Sequence, residues 1–163
     1  MPLIMPSLQS ELIDIFEKGK KGNASPKIVA LKTAKAYLNY ISPGINMGGG
    51  AFTGMFGSSA LGQDLGNILS SAWPDSDLTA NMFTQAFDTC LNTFLSVHQI
   101  TISTTPGLTG LQTGLKKLFK TPKQTTTLFA MDFAKELHSH ASAAIVIGVV
   151  PDTPGVPFQG PIS

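Results

Sequence analysis

Residues 75–95 begin with Asp75-Ser76-Asp77 and continue Leu-Thr-Ala-Asn-Met-Phe-Thr-Gln-Ala-Phe-Asp-Thr-Cys-Leu-Asn-Thr-Phe-Leu. The polar opening predicts a helix start, because these side chains can cap the first turn and their charge suits the positive end of the helix dipole. Apolar residues then recur about every four positions in a double stripe, wider than a surface helix needs. We therefore predict that the stretch from Leu78 to Leu95 is the central core helix of a mainly α protein.

The sequence on either side predicts further helices, for five or six in all. Ser25-Pro26 is the clearest start, since a proline at the first helical position lacks an N–H that would be unpaired there anyway. Pro43-Gly44 ends that helix. The remaining predicted helices are one capped by Ser7 and stopped by Gly19 and Gly22, one over residues 61–72, one over 111–119 after a turn at Pro106-Gly107, and one capped at 125–127 that runs toward Ala144.

Two stretches are candidates for minor β structure. Residues 98–105 alternate Ile100 and Ile102 with Ser and Thr, which predicts one short strand. The apolar run at 143–150 fits either a strand or the end of the last helix, and it is far shorter than the roughly 20 residues of a membrane-spanning helix. The expected fold class is therefore a single mainly α domain over residues 1–150, with minor β.

Residues 44–60 are rich in Gly and Ser and predict a long loop inside that domain. Phe52, Met55 and Phe56 are embedded in it. Such side chains either pack back onto the domain or are presented to a partner. We treat them as candidate interaction residues.

The last stretch, residues 151–163, has a different composition. Four prolines and two glycines exclude a helix there and favour an extended, polyproline-like arm. The arm is either a floppy tail or an ordered segment lying in a neighbour's groove. The candidate interaction residues outside the loop are Ile145, Val146, Ile147, Val156 and Phe158, with Phe158 as the anchor of the arm.

Charged residues are scarce. Asp, Glu, Lys and Arg make up 13% of the chain, about half the usual share of roughly 25%. All eleven basic residues are lysines, and the net charge is +1. The chain is either a neutral protein kept soluble by its many Ser, Thr, Gln and Asn residues, or one whose surface is covered in an assembly, since interface cores are depleted in charge. We favour the second interpretation and expect a homo-oligomer or ring.

The chemistry-bearing residues do not form a recognisable catalytic, metal or cofactor motif. Cys90 falls on the apolar side of the main helix, so we expect a buried, inert thiol. His138 and His140 are two apart, which places them on opposite sides of a helix, unsuited to one metal ion, and we expect one of them to be buried. The glycines at 48–50 lack the Lys-Ser/Thr ending of a phosphate loop. We predict no enzyme activity, no cofactor, no metal and no small-molecule substrate.

Two lysine groups, within 18–35 and 116–123, raise the question of nucleic-acid binding. Phosphate contacts would need the two groups to converge on one face, and base recognition leans on arginine, which the chain lacks. Solvated helix faces explain the lysines more simply, so nucleic acid is an unlikely partner. Residues 1–6 lack the basic and apolar regions of a secretory signal.

The two ends of the chain resemble small virion structural proteins of tailed bacteriophages. The resemblance lies in Leu8-Gln9-Ser10-Glu11-Leu12-Ile13-Asp14-Ile15-Phe16, in residues 25–30 and 34–37, and in the ending Pro154-Gly155-Val156-Pro157-Phe158 through Gly160-Pro161-Ile162-Ser163. It covers about a third of the chain. It implies a subunit of a neck, tail or baseplate assembly whose partners are other virion proteins.

The expected function is therefore a structural component of a phage particle that acts through protein–protein contacts. Its expected location is the virion, assembled in the host cytoplasm. The alternative is a membrane-active or host-interacting protein that uses the uncharged segment 36–63. A membrane partner is the less favoured of the two.

Overall fold

The computed structural model of the chain describes residues 3–53, 55–71, 75–121, 125–152 and 154–163, with the backbone alone at 55–58. Within these ranges the chain is mainly α, with a minor share of strand, in one compact domain, which confirms the expected fold class. The elements are α1 Met5–Lys20, α2 Pro26–Ile41, β1 Phe52–Thr53, α3 Met55–Ser70, α4 Ser76–Asn92, β2 Leu95–Ser96, β3 Gln99–Ser103, α5 Thr105–Lys120, α6 Thr126–Ala143, β4 Ile145–Val150 and β5 Val156–Pro161.

These elements form three similar units. Helices α1, α3 and α5 begin 50 residues apart, at residues 5, 55 and 105, and α2, α4 and α6 repeat the interval at 26, 76 and 126. Each unit is a pair of helices followed by a short β segment. No motif or local pattern in the sequence indicates this repeat, because the three units share almost no residues.

The helix starts show the repeat at the level of single hydrogen bonds. The side chains of Ser25, Asp75 and Thr125 are 50 residues apart, and each caps the second helix of its unit. They accept hydrogen bonds from the backbone N–H groups of Ile28, Leu78 and Leu128, at 3.4, 3.4 and 3.2 Å. The three caps predicted from sequence at these positions are confirmed.

Two predicted helix starts are wrong for a shared reason. Helix α1 begins at Met5 without a side-chain cap, so Ser7 lies inside it, and α5 begins at Thr105, so the expected turn at Pro106-Gly107 lies in its first turn. In both helices a proline occupies the second position. Because proline lacks the N–H that would be unpaired there, the helix can begin before it without a polar cap.

The expected loop over 44–60 is also shorter than predicted, because α3 begins at Met55 and contains Gly57, Gly62 and Gly66. A Cβ atom added at Gly62 would lie 2.9 Å from Leu31 Cδ2 of α2. The missing side chain therefore lets the two helices approach closely, and this packing outweighs the low helix propensity of glycine.

The six helices close into a ring, which we call the helix ring. Each helix packs against the next along the chain, and α6 packs against α1. Helix α4 was predicted to be the central helix, and this is wrong, because it occupies one of three equivalent places. The double apolar stripe reflects contacts on two sides rather than burial on all sides.

Side chains of α2, α4 and α6 meet inside the ring. The rings of Tyr37 and Phe87 lie 5.0 Å apart, those of Phe87 and Phe133 5.7 Å, and those of Tyr40 and His138 6.0 Å. The same positions are fully buried in every unit. These positions are Ala30, Ala80 and Ala130; Tyr37, Phe87 and Leu137; and Ile41, Leu91 and Ala141.

The β segments repeat the threefold pattern in their register. Phe52 pairs with Ser96 and Thr53 with Leu95, and the same pairs shifted by 50 residues, Ile102 with Val146 and Ser103 with Ile145, join β3 to β4. The third equivalent contact closes the ring: Ile45 and Ser163 exchange both backbone hydrogen bonds, at 2.8 and 3.1 Å.

The C-terminal arm is ordered and belongs to the domain. Strand β5 pairs with β4 along its whole length, so both the floppy tail and the arm in a neighbour's groove are wrong, and no separate segment begins at residue 151. Phe158 anchors the arm on its own chain, because its ring lies where a Cβ of Gly48 or Gly148 would be. The two glycines leave room for the aromatic side chain.

Candidate functional site

The β segments gather at one end of the helix ring. Each unit runs through two antiparallel helices and then enters its β segment, so all three segments follow the same ends of α2, α4 and α6. We define this β end as residues 44–53, 95–103, 145–150 and 154–163. The opposite end, where the first helix of each unit ends and the second begins, is called the turn end.

No residue of the β end is Asp, Glu, Lys or Arg. The lysines and acids lie on the helices and their connections, apart from Asp152 in the link between β4 and β5. Charge on this molecule is therefore segregated to one part of its surface. A face without charge loses little solvation when a partner covers it.

Aliphatic side chains point outward from the β end in all three units. Burial alternates along the β segment of each unit. Asn46 and Val146 are buried and Ser96 is half-buried, whereas the residues on either side of each face outward, as strand geometry requires. Among these neighbours Met47 exposes 65%, Leu95 64% and Val97 58% of its surface. The outward set comprises Ile45, Met47, Leu95, Val97, Ile145 and Ile147, with Ile100, Val149 and Val156 also exposed.

Asn46 holds the first unit of the β end to the second. Its Oδ1 accepts a hydrogen bond from the backbone N–H of Gly50 at 2.9 Å, which closes the glycine turn. Its Nδ2 donates to Ser96 Oγ at 2.8 Å and to the carbonyl oxygen of Val97 at 3.0 Å. Buried and fully hydrogen-bonded, Asn46 keeps this part of the surface rigid.

The predicted interaction residues divide into two groups. Ile145, Ile147, Val156 and Phe158 lie in the β end and are half-buried or exposed. Phe52 and Val146 also lie there, but their side chains are 2% and 0% exposed, so presenting them to a partner is ruled out. Both point into the core from strands whose alternate residues face outward. The side chains of Met55 and Phe56 lie outside the described residues.

The exposed residues that the sequence analysis missed are Met47, Leu95, Val97 and Ile100. Leu95 was assigned to the core stripe of a helix, but α4 ends at Asn92 and Leu95 belongs to β2. A signal was present in the sequence, because aliphatic residues occupy positions 45, 47, 95, 97, 145 and 147. It becomes visible only when the 50-residue interval is known.

A second candidate site is a polar cluster inside the helix ring. Asp88 Oδ1 and His140 Nε2 are 3.0 Å apart, and Tyr40 hydrogen-bonds His138 Nδ1. Cys90 is buried in the same region and its pKa is raised to about 12 by burial, so the thiol stays protonated and unreactive. The expected burial of the thiol is confirmed.

Burial governs the titration of the two histidines as well. Desolvation lowers the pKa of His140, against the opposing effect of Asp88, and desolvation lowers the pKa of His138 too. His140 is fully buried, and its Nδ1 has no hydrogen-bond partner among the described residues. The neutral imidazole with its proton on Nε2 fits this site, and the cluster joins α4, α6 and α2, with Asp88 and His138 partly exposed.

Metal binding and membrane insertion are two further possibilities for the described part of the chain. His, Cys, Asp and Glu side chains nowhere gather there in a group of three or more that could hold a metal ion. Among the same residues, no helix combines the length and apolar composition needed to cross a bilayer.

The β end is thus the best candidate functional surface on the described chain. No family model, curated protein or solved structure matches the chain.

Proposed function

We propose that the chain is a structural component of a bacteriophage particle, fixed in a tail, neck or baseplate assembly by protein–protein contacts at its β end. The observation that carries the proposal is the uncharged surface there, with outward aliphatic side chains in all three units. The partners are other virion structural proteins, and the resemblance of the chain's two ends to such proteins supports this choice of assembly.

The threefold arrangement supports a particular kind of partner. Symmetric assemblies present the same surface several times around an axis. One copy of this chain carries three similar aliphatic patches around a closed ring, so each patch can meet one subunit of a ring of identical neighbours. A single chain would then present by itself the repeated surface of the homo-oligomer or ring that its low charge led us to expect.

The test places charge on the β end. We expect Leu95→Lys, Val97→Lys and Ile100→Lys, combined in one chain, to lower the amount of the chain in purified particles at least tenfold, because charged side chains must lose their hydration in an apolar contact. The measurement is mass spectrometry of particles from the virus that encodes the chain. Circular dichroism of the purified variant checks that the helices remain.

The matched control carries the same three charges elsewhere. Ile28→Lys, Leu78→Lys and Leu128→Lys change side chains at matching positions of the three units that are 45%, 42% and 54% exposed on the helices, and incorporation should stay near the wild-type amount. Absence of the unmodified chain from particles refutes the proposal. So does a β-end variant that is incorporated like the control.

The alternative, membrane or host interaction through residues 36–63, has weaker support. That segment is divided between α2, the glycine turn and α3, and five of its large apolar side chains, Tyr37, Tyr40, Ile41, Phe52 and Leu61, are buried. Leu38 and Ile45 are half-buried, and Met47 is 65% exposed. Stable flotation of the chain with liposomes, abolished by Met47→Lys, would favour the alternative over the structural role.

A further inference from the structure

An apolar cavity lies inside the helix ring toward the turn end. Its volume is about 260 Å³, and its wall is made almost entirely of apolar surface. An apolar cavity of roughly 150 Å³ is known to stay dry and to bind a molecule as large as benzene, so this one has room for a longer hydrocarbon. The lining residues are Phe16, Val29, Thr33, Leu65, Leu69, Thr79, Phe83, Phe119, Phe129 and Phe133.

The cavity exists because the three units fill their equivalent positions differently. Position 33 of the first unit is Thr33, where the second and third units have Phe83 and Phe133. Position 29 is Val29 in the first unit, Thr79 in the second and Phe129 in the third. A phenylalanine is much larger than threonine or valine, so the first unit leaves open at position 33 a space that a phenylalanine would occupy, as in both other units, and at position 29 a space that only the third unit fills with an aromatic side chain.

Thr33 also contributes a polar atom without a partner. The residue is 3% exposed, and its hydroxyl has no hydrogen bond among the described residues. The other threonine of the wall, Thr79, donates its hydroxyl hydrogen to the carbonyl oxygen of Asp75 at 2.9 Å. A buried hydroxyl without a partner is destabilising, so the stability of the core does not explain a threonine at this position.

A positive charge lies beside the cavity. Two shallow clefts adjoin it, one sharing Phe119 and Phe129 with its wall and the other sharing Phe16, Val29 and Leu69, and Lys20 lines both. Among the described residues, Lys20 forms no ion pair and the clefts contain no carboxylate. An anion at this position would therefore have the lysine as its counterion.

We propose that this cavity binds the hydrocarbon chain of a fatty-acid-like amphiphile, with the anionic end group at Lys20. Binding pockets for such molecules are mostly apolar with a few placed polar groups that fix orientation, and Lys20 beside the cavity is the group that suits a carboxylate here. The site lies at the turn end, away from the β end, so it is independent of the proposed structural role.

The experiment is isothermal titration calorimetry of the full chain with dodecanoate, at dodecanoate concentrations below the critical micelle concentration. We expect saturable binding of one molecule per chain. Thr33→Phe, which installs the residue of the other two units, should weaken binding at least about tenfold, or 1.4 kcal/mol, while raising the melting temperature because it fills the cavity. Val29→Phe provides the same test should Thr33→Phe fail to fold.

Two controls separate the site from general hydrophobic binding. Thr113→Phe adds the same aromatic ring at an exposed position of α5, and affinity should not change. Lys20→Gln should weaken dodecanoate binding and leave binding of uncharged dodecanol unchanged. No binding by the unmodified chain, or equal binding by Thr33→Phe, Val29→Phe and Thr113→Phe, overturns the proposal.

Free fatty acids and membrane lipids share the proposed chemistry. Flotation with phosphatidylglycerol vesicles distinguishes them, because extraction of a lipid chain into the cavity would make flotation sensitive to Thr33→Phe. Dodecanoate binding without flotation identifies a free fatty acid as the source. Both results keep the cavity as the site.

Discussion

Single residues show how three dissimilar stretches of sequence build equivalent structure. Residues 3–53 can be aligned with the two stretches that follow at intervals of 50 residues. Only one position then has the same residue in all three stretches, namely Ala30, Ala80 and Ala130. All three alanines are fully buried. At that point the side chain must be small, whereas elsewhere the core accepts any apolar residue of workable volume. Sequence identity among the three units is therefore confined to this one small, buried position.

His140 gives the fold a dependence on pH. Burial lowers the pKa of the folded imidazole below the ordinary value of 6.5, so on acidification the unfolded chain takes up a proton before the folded chain does. The contribution of His140 to the free energy of unfolding is therefore fully present above pH 6.5. It is lost as the pH falls below that value. We expect the melting temperature, measured by calorimetry between pH 7.5 and 5, to decrease across this window.

Substitution identifies the responsible residue. His140→Gln can still donate to Asp88 but does not titrate, so the decrease below pH 6.5 should become shallower than in the wild type, leaving the part due to His138. His98→Asn is the matched control, since it removes a histidine outside the core at a left-handed position that asparagine tolerates. A His140→Gln profile as steep as the wild type would contradict the assignment.

At the scale of elements, the starts of α2, α4 and α6 were predictable because one hydrogen bond decides each. A polar side chain before an apolar run meets an N–H that has no other partner. The starts of α1, α3 and α5 were not predictable in this way. They depend on a proline that needs no cap or on glycines that allow close helix packing, and that packing cannot be inferred from local sequence.

The caps provide the test at this scale. Ser25→Ala, Asp75→Ala and Thr125→Ala should each lower the free energy of unfolding by about 0.5–2 kcal/mol, measured by urea denaturation. Ser7→Ala is the control, because Ser7 lies within α1 and makes no capping bond, so its effect should be close to zero. A loss for Ser7→Ala as large as the other three would show that α1 begins at the sequence-predicted position.

The β end combines residues that sequence reasoning found with residues that it could not find. The strand at 99–103 was predictable from its alternating pattern, whereas the β-branched run at 145–150 fitted either a strand or the end of the last helix. The arm was recognised as extended, but its proline and glycine content says nothing about what it pairs with. Strand β5 pairs with β4, and Ser163 beyond it pairs with Ile45, because of the register of the whole ring, which is a property of tertiary structure.

At the scale of the whole molecule, closure depends on the last residues. Ile162 is 3% exposed and occupies the place that Phe52 and Ile102 take in the other units. We expect Ile162→Asp to lower the free energy of unfolding by at least about 3 kcal/mol, because it leaves a buried charge without a partner. The measurement is urea denaturation, with hydrogen exchange to locate the effect.

Hydrogen exchange should show that the loss spreads beyond the arm. Protection should fall in β4, in the Ile45 segment and in α1 and α6, which meet where the ring closes. Val156→Asp is the control, since Val156 belongs to the same arm but is half exposed, and its effect should stay within about 0.5 kcal/mol. A loss of protection restricted to residues 156–163 would show that the ring holds together without its closing contact.

Closure of the helix ring also limits how the chain can evolve. An open stack of helix pairs can gain or lose a member at little cost, because each member meets only its neighbours and the ends carry specialised caps. Here the last unit must return to the first, so the angle between successive units is set by their number. A duplicated or deleted 50-residue block would leave a clash or a gap, so this architecture requires three units.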